Sequence, residues 1–101
     1  MIEYKVKVHE NGNKYWFLNG QLHREDGPAI EYARGHKVWY LNDKLHREDG
    51  PACEYYDGTK HWYLNGEELT EEEFNNRTQV QELTIEQIEH ELGYKIKVVG
   101  E

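Results

Sequence analysis

The chain has 101 residues and a formal net charge of −8; 37% of its residues are hydrophobic, and 13% are aromatic. This length supports one domain with a modest core, and with eight Tyr, three Trp and two Phe the buried area must come mainly from rings. No run of 18 apolar residues is present, which excludes a transmembrane helix, and the acidic balance argues against binding nucleic acid phosphates or an anionic membrane.

The N-terminal residues 2–8, Ile-Glu-Tyr-Lys-Val-Lys-Val, alternate with Ile2, Tyr4, Val6 and Val8 on one side, and so predict a half-buried strand. The segment has neither the apolar core nor the cleavage site of a secretory signal, so a cytoplasmic location is expected. Asn11-Gly12 then marks a turn leading into Lys-Tyr-Trp-Phe-Leu at 14–18, followed by a second turn at Asn19-Gly20.

Residues 22–29 read Leu-His-Arg-Glu-Asp-Gly-Pro-Ala and recur letter for letter at 45–52. The interval of 23 residues also separates Trp16, Trp39 and Trp62, as well as Lys14, Lys37 and Lys60 and Gly12, Gly35 and Gly58. A fixed period of this size is the signature of a repeat architecture. Each unit is expected to hold a Trp-bearing strand, an Asn-Gly or Asn-Asp turn, the octapeptide, and a second strand at 29–33 or 52–56. Asp26-Gly27-Pro28 and Asp49-Gly50-Pro51 read as the hinge of each hairpin, because Gly takes positive φ readily and Pro fixes φ and donates no hydrogen bond. The units fall at about 14–36 and 37–59, with a partial one at 60–69, giving an antiparallel meander of about six strands over 1–66.

The octapeptide also places His23, Arg24, Glu25 and Asp26 together, and again His46, Arg47, Glu48 and Asp49. Adjacent residues of a turn point in different directions and converge poorly on one ion, so a structural role is favoured: His, Arg and Asp bonding the backbone and one another. No metal, cofactor or catalytic centre is expected, and a metal-dependent hydrolase using these turns is a lesser alternative. Trp16, Trp39 and Trp62 read as structural. Phe17, Tyr40 and Tyr63, stepped along the array opposite the Trp ladder, predict an outward aromatic strip suited to a protein partner. Together with His23, Arg24, Glu25, His46, Arg47 and Glu48 they form the expected protein-binding surface. Cys53 replaces Ile30 of the preceding unit, so it reads as a small apolar core residue, and being alone it can form no internal disulfide.

After Asn65-Gly66 the pattern changes. Residues 1–66 carry a net charge of −1, residues 67–92 of −8 and residues 93–101 of +1. Thr70 with Glu73 forms a capping box and Leu69 with Phe74 a hydrophobic staple, predicting a helix from about residue 71. Thr84 with Gln87 and Leu83 with Ile88 repeat the device for a second helix that buries Ile85, Ile88 and Leu92 and ends at Gly93. Residues 75–82 fit either helix or loop. Residues 94–99 alternate like 4–8, predicting a terminal strand that either pairs with the N-terminal one or covers the opposite edge. The region 67–101 is thus read as an acidic helical cap with a terminal strand, closing an α+β domain whose open edge would otherwise invite aggregation or homo-oligomerisation.

The unit of aromatic strand, Asn-Gly, spaced His and Gly, and aromatic strand resembles the MORN repeat and its bacterial variant. It is closer still to small tailed-bacteriophage proteins built on Trp-Tyr-Leu-Asn-Gly-x-Leu-His-Arg-Glu-Asp-Gly-Pro-Ala. The resemblance covers about residues 10–69 and implies an interaction scaffold; the bacterial variant also occurs in proteins labelled antitoxins. It therefore implies a non-enzymatic phage accessory protein that binds and inhibits a host or defence protein in the host cytoplasm. Where the eukaryotic repeats have His-Gly-x-Gly, this chain has His-Arg-Glu-Asp-Gly, so their membrane binding is not carried over. The acidic segment 67–92 supports a second alternative, a mimic of nucleic acid.

Overall fold

The computed structural model describes residues 2–78, 89, 90 and 93. Over residues 2–78, among the described residues, ten short strands and a helix follow in order: β1 (Lys5–Val8), β2 (Lys14–Leu18), β3 (Gln21–Leu22), β4 (Ile30–Glu31), β5 (Lys37–Val38), β6 (Tyr40–Leu41), β7 (Lys44–Leu45), β8 (Cys53–Glu54), β9 (Lys60–Leu64), β10 (Glu67–Leu69) and α1 (Glu71–Thr78). All described strand pairs are antiparallel.

The strand count exceeds the expected six because the return strand of each hairpin is split. On β2, Phe17 and Leu18 pair with Leu22 and Gln21 of β3, while Lys14 and Tyr15 pair with Glu31 and Ile30 of β4. Both halves reach Trp16: the His23 N–H donates to its carbonyl and its own N–H donates to the Ala29 carbonyl. Residues 24–28 are therefore extruded as an arch from a single antiparallel return strand, an enlarged form of a β-bulge. The expected hinge role of Asp26-Gly27-Pro28 is corrected accordingly. The same bonds occur 23 residues on, where the His46 N–H donates to Trp39 and the Trp39 N–H donates to Ala52, leaving 47–51 as a second arch. The expected second strands at 29–33 and 52–56 shorten to Ile30–Glu31 and Cys53–Glu54, because Tyr32 and Tyr55 already hold turns closed by the His36 and Thr59 carbonyls.

The hairpin turns proper lie at Asn19-Gly20, Asn42-Asp43 and Asn65-Gly66, where both residues of each pair have positive φ, as a type I′ turn requires. Asp43 occupies the glycine position at φ 64°, and its Oδ1 accepts the Leu22 N–H at 2.6 Å, so the side chain binds the preceding unit. At Gly12, φ is 94° and an added Cβ would lie 3.2 Å from Ala33 Cβ, so both backbone and space favour glycine there.

Alternation along the strands gives the sheet two faces. Ile30, Val38 and Cys53 form the core of one, with Tyr15, Leu22, Tyr32, Tyr40, Leu45 and Tyr63 packed around them. On the other lie Trp16, Trp39, Ala29, Ala52 and the arches. β1 adds an outer strand in register Val6↔Trp16, but of the face expected to be half-buried only Tyr4 is so, while Ile2, Val6 and Val8 are exposed.

Residues 67–69 pair with β9 as Glu67↔Leu64, Glu68↔Tyr63 and Leu69↔Trp62, so the expected boundary at 66/67 falls inside a hairpin. α1 begins where the capping box places it: the Thr70 N–H donates to Glu73 Oε1 and the Glu73 N–H to Thr70 Oγ1. Leu69 and Phe74 are both buried, as a hydrophobic staple requires. Glu89 and His90 are helical, and the Gly93 N–H donates to the Glu89 carbonyl with Gly93 at φ 78°, the geometry of a C′ glycine. The second capping box and staple, Ile85, Ile88, Leu92 and the strand at 94–99 lie outside the described residues.

Candidate functional site

The two arches stand side by side on the Trp face, each held by the polar residues of the octapeptide. In the first, Arg24 donates from Nε to Asp26 at 3.0 Å, and from Nη1 to the Pro28 carbonyl at 3.3 Å and to Glu31 at 2.6 Å. In the second, Arg47 reaches Asp49 at 2.7 Å, Pro51 at 3.1 Å and Glu54 at 2.9 Å. Each guanidinium also lies over a tryptophan ring, Arg24 Cζ 3.8 Å from the Trp16 ring centroid and Arg47 Cζ 3.9 Å from that of Trp39. The bond from Arg47 holds the Asp49 carboxyl below its usual range.

The histidines secure the next unit. His23 Nδ1 accepts the Asn42 N–H at 3.0 Å and His46 Nδ1 accepts the Asn65 N–H at 2.9 Å. Each ring thereby fixes the backbone of the following type I′ turn, and its remaining proton sits on Nε2. His23 is only 5% exposed and cannot itself meet a partner, although the sequence suggested it as a contact residue.

Between the arches lies a groove of about 620 Å³, a size that admits a side chain or a short peptide. Trp39, Leu41, His46 and Arg47 line it from the second unit, together with Glu48 and Asp49, and residues 24–28 line it from the first. Arg24 and Arg47 are paired with Asp26 and Asp49 within the arches, so the carboxylates offered outward are chiefly Glu25 and Glu48, whose side chains are 58% and 80% exposed. The groove is thus acidic at its rim and apolar along Trp39 and Leu41. A second groove of about 930 Å³ runs beside β1, where Lys5 and Lys7 line it together with Glu3.

Phe17, Tyr40 and Tyr63 lie opposite the Trp ladder as expected, but the outward strip is corrected for Tyr40 and Tyr63, while Phe17 lines the groove beside β1. These residues share the parity of Tyr15, Val38 and His61, so they lie on the core side of the sheet, away from the arches. Tyr40 and Tyr63 pack on the Ile30, Val38 and Cys53 cluster, and burial raises both hydroxyl pKa values. Phe17 lies under Lys7 Nζ, 5.2 Å from its ring centroid. Cys53 takes the expected core position, and burial pushes its thiol pKa up. Among the described residues no three His, Cys, Asp or Glu side chains are grouped so as to hold a metal ion.

Sequence reasoning missed Glu31, Glu54 and Tyr4. The two glutamates recur at the 23-residue interval and face the Trp side, a signal available in the sequence. Tyr4 carries no repeat signature, yet its hydroxyl accepts the Glu25 N–H at 3.2 Å and its ring meets Trp16 edge-on at 5.5 Å. Compared with protein-family models, curated proteins and solved structures, the chain matches none.

Proposed function

We propose that this chain is a non-enzymatic protein-interaction module of the MORN-like repeat kind, with the groove between its two arches as the contact surface. The observation that carries the reading is the arrangement of the octapeptide: its Arg, His and Asp are engaged in rigidifying the loop, while Glu25 and Glu48 are held outward beside Trp39 and Leu41. A surface pre-organised in this way loses little conformational entropy on binding, and an aromatic floor inside a polar rim is the usual anatomy of a protein contact. A catalytic use of His and Glu is less well served, because each Nδ1 already accepts a backbone N–H and each His Nε2 lies 3.5 Å from a single carboxylate. The resemblance to phage repeat proteins adds the role: an accessory protein that binds and inhibits a host or defence protein in the host cytoplasm.

The nucleic-acid-mimic alternative would place the contact on the acidic segment from residue 67. Three of its described glutamates are committed internally, Glu67 to Arg77, Glu68 to His61 and Glu73 to Thr70. Affinity capture from a bacterial lysate with the wild-type chain, Glu25→Lys/Glu48→Lys, and Glu71→Gln/Glu72→Gln separates the readings. The interaction reading expects a stoichiometric partner that the first variant loses and the second retains; the opposite pattern would establish the alternative.

A further inference from the structure

The two arches have the same internal bonds but different neighbours on the side facing the preceding strand. Beside the first stands Tyr4. Its ring meets Trp16 edge-on at 5.5 Å and lies over His23 at 6.5 Å with an interplanar angle of 27°, and its hydroxyl accepts the Glu25 N–H at 3.2 Å. Three groups of the first unit therefore receive one phenol: an indole, an imidazole and a backbone amide. The counterparts 23 residues on are Trp39, His46 and Glu48, and all three line the groove between the arches. Among the described residues none accepts the Glu48 N–H, and no ring packs on Trp39 beyond the Arg47 guanidinium.

From this internal pairing we infer that the groove is a receptor for a tyrosine side chain of the partner, carried in a segment with Lys or Arg beside it. The inference rests on the reading of the groove as a protein contact and names what that contact recognises. The phenol takes the place in the second unit that Tyr4 takes in the first, with its ring edge on Trp39 and its hydroxyl accepting from the Glu48 N–H. The basic neighbours meet Glu25 and Glu48, the outward charges of both arches. Phenylalanine would supply the same ring contact and leave the Glu48 amide without an acceptor, so it binds more weakly by roughly three- to tenfold. An acidic flank would be repelled, and added salt would weaken a basic one.

The test uses the full-length ¹⁵N-labelled chain and two probes, the capped peptides acetyl-Lys-Tyr-Lys-amide and acetyl-Lys-Phe-Lys-amide, followed by amide and indole NMR shifts. The expected result is saturable movement of the Glu48 amide and the Trp39 indole with the Tyr peptide, and roughly three- to tenfold weaker binding of the Phe peptide. Tyr4→Ala supplies the control, since it vacates the first site; the Tyr peptide should then move the Glu25 amide as well. Movement at Glu25 in that variant without movement at Glu48 would show that the second unit is not a phenol receptor. Equal affinity for the two peptides, or shifts confined to β1, would overturn the inference too. Should Tyr4→Ala fail to fold, the wild-type comparison of the two peptides decides alone. None of these failures would restore capture by Glu25→Lys/Glu48→Lys, so the interaction reading and the tyrosine reading fail separately.

Discussion

Arg47→Lys separates an arch held by charge alone from one held by a guanidinium of fixed shape. Arg47 makes three hydrogen bonds and a stack: Asp49 at 2.7 Å, the Pro51 carbonyl at 3.1 Å, Glu54 at 2.9 Å, and Trp39 at 3.9 Å. These are not of equal worth. Asp49 is 85% exposed, so solvent screening reduces its share to below about 1 kcal/mol. The Arg47 side chain is 20% exposed and Glu54 35%, so that pair is screened less and contributes about 1–1.5 kcal/mol. The bond to the Pro51 carbonyl adds about 1 kcal/mol, and the partly desolvated stack on Trp39 about 1 kcal/mol more. Arg47→Ala should then cost about 3–4 kcal/mol. Lysine keeps the charge and can reach one carboxylate, but it cannot bond Asp49, Pro51 and Glu54 together or place a planar group over the indole, so Arg47→Lys should cost about 2 kcal/mol. Urea unfolding of the full chain followed by Trp fluorescence measures both. If Arg47→Lys fell within about 0.5 kcal/mol of wild type, the range of an ordinary surface change, the charge alone would be holding the arch and the stacking account would be wrong.

Other consequences are open to simpler checks. His46→Ala should destabilise by about 1 kcal/mol through loss of its bond to the exposed Asn65 N–H, with amide exchange at residues 63–66 accelerating first; unchanged exchange there would remove the histidine from its structural role. Thr70→Ala removes the hydroxyl that accepts the Glu73 N–H, while the Thr70 N–H can still donate to Glu73, and should cost about 1 kcal/mol, read as loss of helical signal for 71–78. The Cys53 thiol, buried and raised, should react with a neutral aromatic disulfide only through opening of the sheet, so its labelling rate should rise with urea as unfolding does. Asp49 has a lowered carboxyl, so its share of stability is full above the unfolded value near about 4 and fades as pH falls through the folded one. Asp49→Asn should therefore flatten the acid limb of a stability curve slightly, and an unchanged limb would mean that the Arg47 bond contributes nothing.

The parts of this fold legible in the sequence are those written in local chemistry. Asn19-Gly20 and Asn65-Gly66 specify their turns by backbone preference, and Thr70, Glu73, Leu69 and Phe74 specify the start of α1 within six residues. The arch was not legible, because Asp26-Gly27-Pro28 has the local chemistry of a hinge, and the fact that overrides it is long-range: His23 and Ala29 both bond Trp16. The facing of Tyr40 and Tyr63 was misread for a related reason. Trp39 and Tyr40 are both large and apolar, so alternation of hydrophobicity does not say which faces the core, and the Arg47 cover that satisfies Trp39 comes from eight residues away. Strand β10 was hidden by composition, since Glu67 and Glu68 look unlike a strand until Leu69 is seen opposite Trp62. The site's structural residues were recognised as a set, but not the division of labour within them. His, Arg and Asp build the arch, and Glu25 and Glu48 are left to face outward.

The central claim is that those outward carboxylates, held beside Trp39 and Leu41, form a protein contact, and the charge-reversal capture tests it most directly. Glu25→Lys/Glu48→Lys alters exposed side chains, so its circular dichroism and unfolding midpoint should stay close to wild type. With the fold intact, the account predicts that the protein retained stoichiometrically by the wild-type chain is lost from the variant. Retention of that same protein at equal stoichiometry by the folded variant would contradict it.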